Sequence, residues 1–380
     1  MIYLDNNATT KPSDAVVQAM ERALKEAWAN PSSVHRAGQA ARREIDLARA
    51  QIAQLLGGVS ARTITFTSGA TESINLAIRG VLVAMPPTKR TIITSPIEHE
   101  AIRDLCVALQ GELDAFAVKH MPVSREGVVD ASALESLIDE STGLVSVQWA
   151  NNETGAIQPV DEVARICKVR KVLFHSDATQ VIGKLLMPSE LQCDLLSCSA
   201  HKFHGPKGVG VLHVREGLGI RPQVWGVQEL GRRGGTENVP GIVGMGAAAR
   251  EAIAWLADER NREAVATLRD QFERGVLQRV EGSVVIGTGA DRLWNTTNIA
   301  FPHLEAEALL MLLSESGVAA SAGAACSSGS LDPSPVLLAM GVPEPVAHGA
   351  VRFSLSRETT AQEIDNAIDI VARCVAKLRS

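Results

Sequence analysis

Runs of basic residues, long apolar runs and paired cysteines are all missing from this sequence. Its net charge is −6 and no stretch concentrates lysine and arginine, whereas nucleic-acid-binding proteins carry a basic patch or stripe. No segment approaches the ~20 uninterrupted apolar residues of a membrane span, and the first residues lack a signal-peptide pattern. We therefore expect a soluble, cytoplasmic protein that contacts neither nucleic acid nor membrane directly.

The six cysteines are scattered, with no C-x-x-C pair and no zinc-type spacing. This spacing favours free thiols in a reducing compartment and predicts no metal site. Cys374 lies on the apolar stripe of a C-terminal helix that a Thr360/Glu363 capping box begins. The cysteines in apolar surroundings are interpreted as packing residues, and they are Cys106, Cys167, Cys193, Cys198 and Cys374. Cys326 has different surroundings.

Two structural units are expected in the 380 residues. From about residue 15 to 255, short β-branched runs alternate with longer amphipathic segments, which is typical of an α/β fold with a mainly parallel sheet sandwiched by helices. Strands are predicted at 63–67, 90–94, 144–149, 172–174, 194–198 and 208–214, with helices at 39–56 and 71–83. After residue 255, a helix at 260–278 and strands at 284–286, 295–301 and 349–356 indicate a smaller α+β unit, 256–380.

The run Cys198-Ser199-Ala200-His201-Lys202 ends one predicted strand. In an open α/β sheet, ligands bind outside the carboxyl ends of the strands. A serine, a histidine and a lysine in this position suit binding a phosphate and forming a Schiff base with an aldehyde, as pyridoxal phosphate (PLP) requires. Taken alone, such a pair of His and Lys is more often an ordinary solvated loop.

Three more predicted strands end in polar residues. His99 suits stacking on a heteroaromatic ring or moving a proton, or it begins a surface helix. Asn152 offers an amide donor to a ligand, or it belongs to a polar turn. Asp177 suits pairing with the ring nitrogen of PLP, which makes the ring an electron sink, or it caps the next helix. A fourth end, at Ala70 and Thr71, is either an anion site at a helix N-terminus or a simple N-cap, and it lacks the Walker lysine.

The order of these strand ends resembles fold-type I PLP enzymes. Further motifs resemble the cysteine desulfurases of the NifS/IscS class, in the class-V aminotransferase family, and the match covers nearly the whole chain. The motifs are Asp5-Asn6-Asn7-Ala8-Thr9-Thr10, Asn30-Pro31-Ser32-Ser33, Ala150-Asn151-Asn152-Glu153-Thr154-Gly155, Arg233-Gly234-Gly235-Thr236-Glu237-Asn238 and Arg352-Phe353-Ser354. The resemblance also assigns residues 1–14 to the small unit.

Residues 321–330 are a run of small residues around Cys326. Such a segment cannot form a core, so we expect a mobile loop that carries a thiol; the alternative is a plain Ser/Gly linker with an incidental cysteine. Its extended form resembles the NifS/IscS class rather than the SufS class. Ala322 and Ala324 stand where the family often has serine, which puts loop hydrogen bonds in doubt but not the nucleophile.

The resemblance implies a role for each site residue. Lys202 would hold PLP as a Schiff base, with Asp177 on the ring nitrogen and His99 on the ring face. Arg352 would clamp the carboxylate of L-cysteine, since a guanidinium fork matches a carboxylate. The remaining implied contacts are Gln180 and Asn152 to the ring hydroxyl, Ala70, Thr71, Ser199 and His201 to the phosphate, Thr236 to the phosphate of the other subunit in a homodimer, and Asn30 and Asn152 near the substrate.

The implied reaction converts L-cysteine to L-alanine. The Cys326 thiolate attacks the substrate sulfur and becomes a persulfide that a sulfur-acceptor protein takes up; either a protonated His99 or the cofactor would assist the thiol. Another PLP reaction, such as selenocysteine lysis or transamination, and a non-catalytic sulfur relay are the alternatives. The sequence does not identify the acceptor protein, which could belong to iron–sulfur cluster assembly, nitrogenase maturation, tRNA thiolation or DNA phosphorothioation. Lys207 is the only other lysine expected near Lys202.

Overall fold

A large mixed sheet organises the protein. The computed structural model describes residues 1–113, 116–323 and 332–380, and of residues 112 and 113 only the backbone. The strands are β1 (Ile2–Tyr3), β2 (Ile64–Thr67), β3 (Thr91–Thr94), β4 (Ala117–His120), β5 (Thr142–Gln148), β6 (Leu173–Asp177), β7 (Leu195–Ser199), β8 (Gly210–Val214), β9 (Val284–Val285), β10 (Thr296–Ala300), β11 (Val318–Ala319) and β12 (Ala350–Ser354).

Helices flank this sheet and make up much of the small unit. They are α1 (Asp14–Glu26), α2 (Arg36–Leu55), α3 (Ala70–Ala84), α4 (Glu100–Leu113), α5 (Leu134–Leu137), α6 (Val160–Arg170), α7 (Val239–Leu256), α8 (Glu259–Arg279), α9 (Ala306–Glu315), α10 (Pro335–Ala339), α11 (Glu344–Ala347) and α12 (Ala361–Arg379). In the described part of the chain, none of them is long and apolar enough to cross a membrane.

The strand order in the large sheet is β2-β8-β7-β6-β5-β3-β4. The strands from β7 to β4 are parallel to their neighbours, so the mainly parallel prediction is confirmed. However, β8 is antiparallel to both β7 and β2, which the apolar pattern of the strand did not indicate. The edge strand β4 was not predicted, because its residues are exposed or half-buried and show no apolar run.

Successive residues of a strand face opposite sides of the sheet, and each side carries its own core. Ile93 and Val145 pack into the core that α1, α2, α6 and α7 cover. Their neighbours Ile92 and Leu144 pack into the core beneath α3 and α4. The large sheet is therefore sandwiched by helices, as expected.

The small unit has a separate core under β10 and β12. Leu4 packs there with side chains of α8 and α12, and β1 pairs with β11. The Thr360/Glu363 capping box begins α12 as predicted, and Cys374 lies buried on its apolar side. The packing of Leu4 supports the assignment of the first residues to this unit, and the domain boundaries at residues 14 and 255 stay predictions.

Candidate active site

One cavity of about 500 Å³ lies at the carboxyl edge of the large sheet. The adjacent parallel strands β3, β5, β6 and β7 all end there, as parallel neighbours must. Each end contributes one of the predicted residues, in the order His99, Asn152, Asp177 and Lys202. Other predicted residues line the same cavity, namely Ala70, Thr71, Gln180, Ser199 and His201.

One wall of the cavity is the N-terminus of α3. Gly69 is its N-cap and makes no side-chain capping bond, so the first N–H groups of the helix lack a side-chain cap. Gly210 on β8 permits the close approach, because a Cβ there would lie 2.5 Å from the carbonyl carbon of Gly69. Thr71 is exposed on this wall and Ser199 lies beside it. The wall suits an anion.

Lys202 holds its amine against the N-terminal segment. Its Nζ donates to the carbonyl oxygens of Asn7 at 2.7 Å and Ala8 at 2.8 Å. Lys202 ends the short 3₁₀ turn Ala200–Lys202 that follows β7. The neighbouring His201 bonds Thr9 Oγ1 through Nδ1 at 3.1 Å, and burial lowers the pKa of His201 to about 4, with the charges of Lys202 and Lys207 adding to the effect.

Asp177 and His99 face the cavity from neighbouring regions of the sheet edge. Asp177 Oδ1 accepts hydrogen bonds from the N–H of Thr179 at 3.0 Å and from its hydroxyl at 2.5 Å, which fix the carboxylate. His99 Nδ1 accepts from the N–H of Ala101 at 3.1 Å, so the neutral ring carries its proton on Nε2. Burial lowers the pKa of His99, against the opposing charges of Asp177 and Glu100. The neutral ring is therefore the favoured form.

A buried glutamate next to His99 was not predicted. Glu98 has no exposed surface, and its carboxyl accepts from the Ser95 hydroxyl at 2.5 Å and from the N–H of Gln148 at 2.9 Å. Burial raises its pKa to about 8. Glu98 thus joins the end of β3 to the end of β5. The run Pro96-Ile97-Glu98-His99 in the sequence does not indicate this contact.

Next to the cavity lies a set of polar side chains that we call the Asn7 network, consisting of the buried Asn7, Gln180, Lys184 and Asn295 and the half-buried Lys202. The side-chain oxygen of Asn7 accepts from Lys184 Nζ at 2.8 Å and from Asn295 Nδ2 at 3.0 Å. Its carbonyl oxygen accepts from Lys202 and, at 3.1 Å, from Gln180 Nε2. The expectation that Lys207 is the only other lysine near Lys202 is therefore wrong, because Lys184 shares Asn7 with it.

Three predicted residues do not line the cavity. Asn30 is exposed, and its side chain accepts from the N–H of Ser32 at 2.9 Å. Thr236 is exposed as well. Arg352 is 1% exposed and pairs with Asp5 at 2.7 Å.

The side chain of Arg352 still contacts the cavity wall, because it bonds the backbone of Asn152. One guanidinium nitrogen, Nη1, donates to the carbonyl oxygens of Asn152 at 3.2 Å and Gly323 at 3.1 Å. Its Nε is buried and has no hydrogen-bond partner among the residues that the structure describes. The side-on edge of the fork therefore keeps an unsatisfied donor.

Cys326 lies outside the described residues. Gly323 and Ser334, one before and one after residues 324–331, both lie against Glu153. Glu153 is buried and follows Asn152 in the sequence. Its Oε2 accepts from the Ser334 hydroxyl at 2.6 Å, and a Cβ on Gly323 would lie 2.2 Å from the same oxygen. The other five cysteines are free and buried, as predicted.

Comparison with known proteins gives one consistent family. Residues 2–367 match the model described as "Aminotransferase class-V". The chain is 45% identical to the cysteine desulfurase NifS of Azotobacter vinelandii over 383 residues, covering 100% of this chain and 94% of that protein. It is 44% identical to a cysteine desulfurase of Cereibacter sphaeroides, covering 100% and 97%. A solved NifS-like protein matches with a TM-score of 0.92 and 40% identity, covering 99% and 100%. This chain belongs to the class-V aminotransferase family, and its fold is that of the NifS-like enzymes.

Proposed function

We propose that this protein is a PLP-dependent cysteine desulfurase, which converts L-cysteine to L-alanine and carries the sulfur as a persulfide on Cys326. The observation that carries the proposal is the meeting of Asp177, Lys202 and the uncapped N-terminus of α3 in one cavity. The donor set fits PLP, because it offers an amine to the aldehyde, a carboxylate to the ring nitrogen, and N–H and hydroxyl groups to the phosphate.

When bound, PLP withdraws electrons from the α-carbon of an amino acid substrate. Lys202 is the base and acid of the proposal, moving the proton at that carbon with its amine. The carbonyl oxygens of Asn7 and Ala8 hold this amine at the cavity wall. Asp177 also lines the cavity, where Thr179 fixes its carboxyl group for the ring nitrogen.

His99 acts in this proposal as a neutral ring. Its Nδ1 is occupied by the N–H of Ala101, so Nε2 is the nitrogen that can donate to a ligand. Since burial lowers the pKa of His99, it is a poor source of the positive charge that would activate the Cys326 thiol. We assign it to contact with the cofactor ring.

Arg352 is the proposed partner of the substrate carboxylate. Its unpaired Nε and the neighbouring Nη2 form the side-on edge, to which a carboxylate can bind with two parallel bonds once it takes the place of Asp5. Asp5 occupies Nη2 at 2.7 Å, and Asn152 joins the guanidinium to the cavity wall. Asn30 is retained as a substrate residue on the resemblance alone.

The sulfur step of the proposal breaks the C–S bond of the substrate and forms an S–S bond. The Cys326 thiolate supplies an electron pair to the substrate sulfur, the carbon side keeps the pair of the broken bond and takes up a proton, and alanine leaves. The persulfide then passes its terminal sulfur to an acceptor protein. Arg352 and Glu153 contact the flanks of the segment that holds Cys326, which supports a thiol near the substrate.

A homodimer is also part of the proposal. Apolar side chains are exposed just before the Thr236 turn, with Trp225 73%, Val227 86% and Leu230 65% exposed, and such surface marks an interface. Arg233 ties this segment to the cavity, because its Nε donates to Glu72 Oε1 at 2.8 Å. A second copy seated here would bring Thr236 to the phosphate side of its partner's cavity.

The test is the variant Cys326→Ser, with Cys374→Ser as the matched control. We expect Cys326→Ser to bind PLP and L-cysteine with unchanged spectra while alanine and sulfide fall to background, since a hydroxyl is a poor nucleophile toward sulfur. Cys374→Ser should keep wild-type turnover. Mass mapping of the wild type after one turnover should place one extra sulfur on Cys326.

Retained alanine production by Cys326→Ser would reject the mechanism, as would an extra sulfur on another cysteine. Alanine released from selenocysteine but not from cysteine would favour a selenocysteine lyase.

A further inference from the structure

Lys184 is a buried lysine for which the proposed reaction has no use. It follows β6 in the run Val181-Ile182-Gly183-Lys184-Leu185, and only 4% of it is exposed. Its Nζ donates to the side-chain oxygens of Asn7 at 2.8 Å and Gln180 at 2.7 Å. Trp294 Nε1 donates to its carbonyl oxygen at 2.7 Å, so the backbone is held as well.

The surroundings of Lys184 favour an uncharged amine. A neutral amine has two N–H donors, and the two amide oxygens accept both; an ammonium would have a third N–H. Within the described residues, Lys184 makes no ion pair with a carboxylate. Burial moves the pKa of Lys184 well below its ordinary value, and the charges of Lys202 and Arg352 act in the same direction.

The bond from Lys184 decides which end of the Gln180 amide meets the cavity. Because Oε1 accepts from Lys184, the oxygen points away into the Asn7 network. The nitrogen Nε2 uses one N–H on the carbonyl oxygen of Asn7. Its second N–H remains for a ligand, and Gln180 lines the cavity. Without Lys184, rotation of the amide would offer an acceptor to the same ligand atom.

We propose that Lys184 is a positioning residue that fixes the Gln180 amide with its nitrogen toward the cavity, so that the site presents a hydrogen-bond donor to an anionic ring oxygen of the cofactor. The inference rests on the proposed function, which supplies that oxygen. It also gives a use to a buried lysine that has no carboxylate partner among the described residues, because Lys184 donates to two amide oxygens.

The first experiment is a double-mutant cycle with Lys184→Met and Gln180→Leu, and with the exposed Lys168→Met as the matched control. We expect Lys184→Met to raise the Kd of PLP for the apoprotein about tenfold, or about 1.4 kcal/mol. Gln180→Leu should have a similar effect, and the double variant should be no weaker than Gln180→Leu alone. Lys168→Met should bind like the wild type.

A spectroscopic readout separates positioning from loss of packing. Loss of a donor to an anionic oxygen disfavours the anionic form, so the pKa of the visible absorbance of bound PLP should rise in Lys184→Met and in Gln180→Leu. Additive losses in the cycle, or an unchanged absorbance pKa, would overturn the inference. If Lys184→Met fails to fold, Lys184→Gln is used, because it keeps an N–H donor for Gln180 Oε1. Lys184→Gln should retain the wild-type Kd and absorbance pKa, and a loss as large as that of Gln180→Leu would overturn the inference.

A cofactor-free measurement keeps this inference apart from the proposed function. If the wild type binds no PLP, the proposed function fails, and the side-chain amide of Gln180 is followed by NMR in the apoprotein labelled with 15N-glutamine. Lys184→Met should shift these amide signals and speed their exchange with water, while Lys168→Met should not. Signals unchanged by Lys184→Met would overturn the role of Lys184 whether or not PLP binds.

Discussion

The two sides of the cavity are built in opposite ways. On the sheet side, the wall at the N-terminus of α3 has few protein partners: Thr71 is exposed and α3 begins at Gly69 without a side-chain cap. On the side of the Asn7 network, Asn7, Lys184 and Asn295 are almost fully buried and bond one another. Gln180 and Lys202 belong to the network and also line the cavity, each three residues beyond the end of a strand.

The contrast distinguishes groups whose hydrogen-bonding capacity is left for a ligand, such as the first N–H groups of α3, from buried groups that bond one another and stabilise the fold. The helix α1, away from the cavity, has its cap satisfied by Ser13, whose side chain accepts from Val16 N–H. At α3 the same kind of donors face the cavity, where a phosphate would satisfy them. Loss of a residue on the sheet side should therefore affect ligand binding with little effect on stability, whereas loss of a residue on the network side should also lower stability.

The largest effect is expected at Lys202, where both sides meet. Lys202→Ala should lose the visible absorbance of bound PLP that borohydride reduces, and alanine production should fall to background, because the amine that bonds the aldehyde and moves the proton is gone. Absorption spectra and an alanine assay measure this, with Lys168→Ala as the control. A reducible band that mass mapping assigns to Lys184 would contradict the assignment of Lys202.

A second pair of variants tests the contrast directly. Asn7→Ala leaves buried donors of the network unsatisfied and should lower the free energy of unfolding by about 3 kcal/mol. Thr71→Ala removes an exposed hydroxyl and should change it by less than ~0.5 kcal/mol while weakening PLP retention about fivefold. Denaturant melts of the apoproteins and dialysis of PLP measure the two effects. Equal stability losses in both variants would break the distinction between the two sides.

The smallest effect is expected across the proposed subunit interface. Thr236→Ala should weaken PLP retention a few-fold, because one hydroxyl contact to the phosphate is lost, with little change in the stability of the apoprotein. The exposed Thr288→Ala is the control. Sedimentation should find a dimer for the wild type and both variants. An active wild-type monomer at assay concentration would exclude a site shared between subunits.

The sheet side could be predicted from the sequence because each of its residues lies directly after a strand that its own local pattern reveals. An apolar run predicts a strand, the next polar residues are at its end, and parallel neighbours share an edge, which was enough to gather His99, Asp177 and Lys202. The direction of a strand was harder to predict, because β8 carries the same apolar pattern as the parallel strands of the sheet yet runs antiparallel to both of its neighbours. Such a reversal depends on the connection and the packing rather than on the composition of the strand.

The Asn7 network could not be predicted in the same way. Its bonds join Asn7 to residues 173 to 288 positions away, and no periodicity in the sequence records such contacts. One local signal was available, since Lys184 interrupts an apolar run in which a charged side chain has no evident place. The bonding of Glu98 to Gln148 is likewise visible only in three dimensions.

The place of Asn7 near the start of the chain has a consequence for synthesis. Its N–H bonds the hydroxyl of Ser354 at 2.9 Å, across 347 positions, which a ribosome adding ~5–20 residues per second covers in roughly 20–70 s. Thr10 can reach His201 much earlier, across 191 positions. We therefore expect the early segment to dock on the sheet first and the lysine site to take its final form only once β12 has emerged.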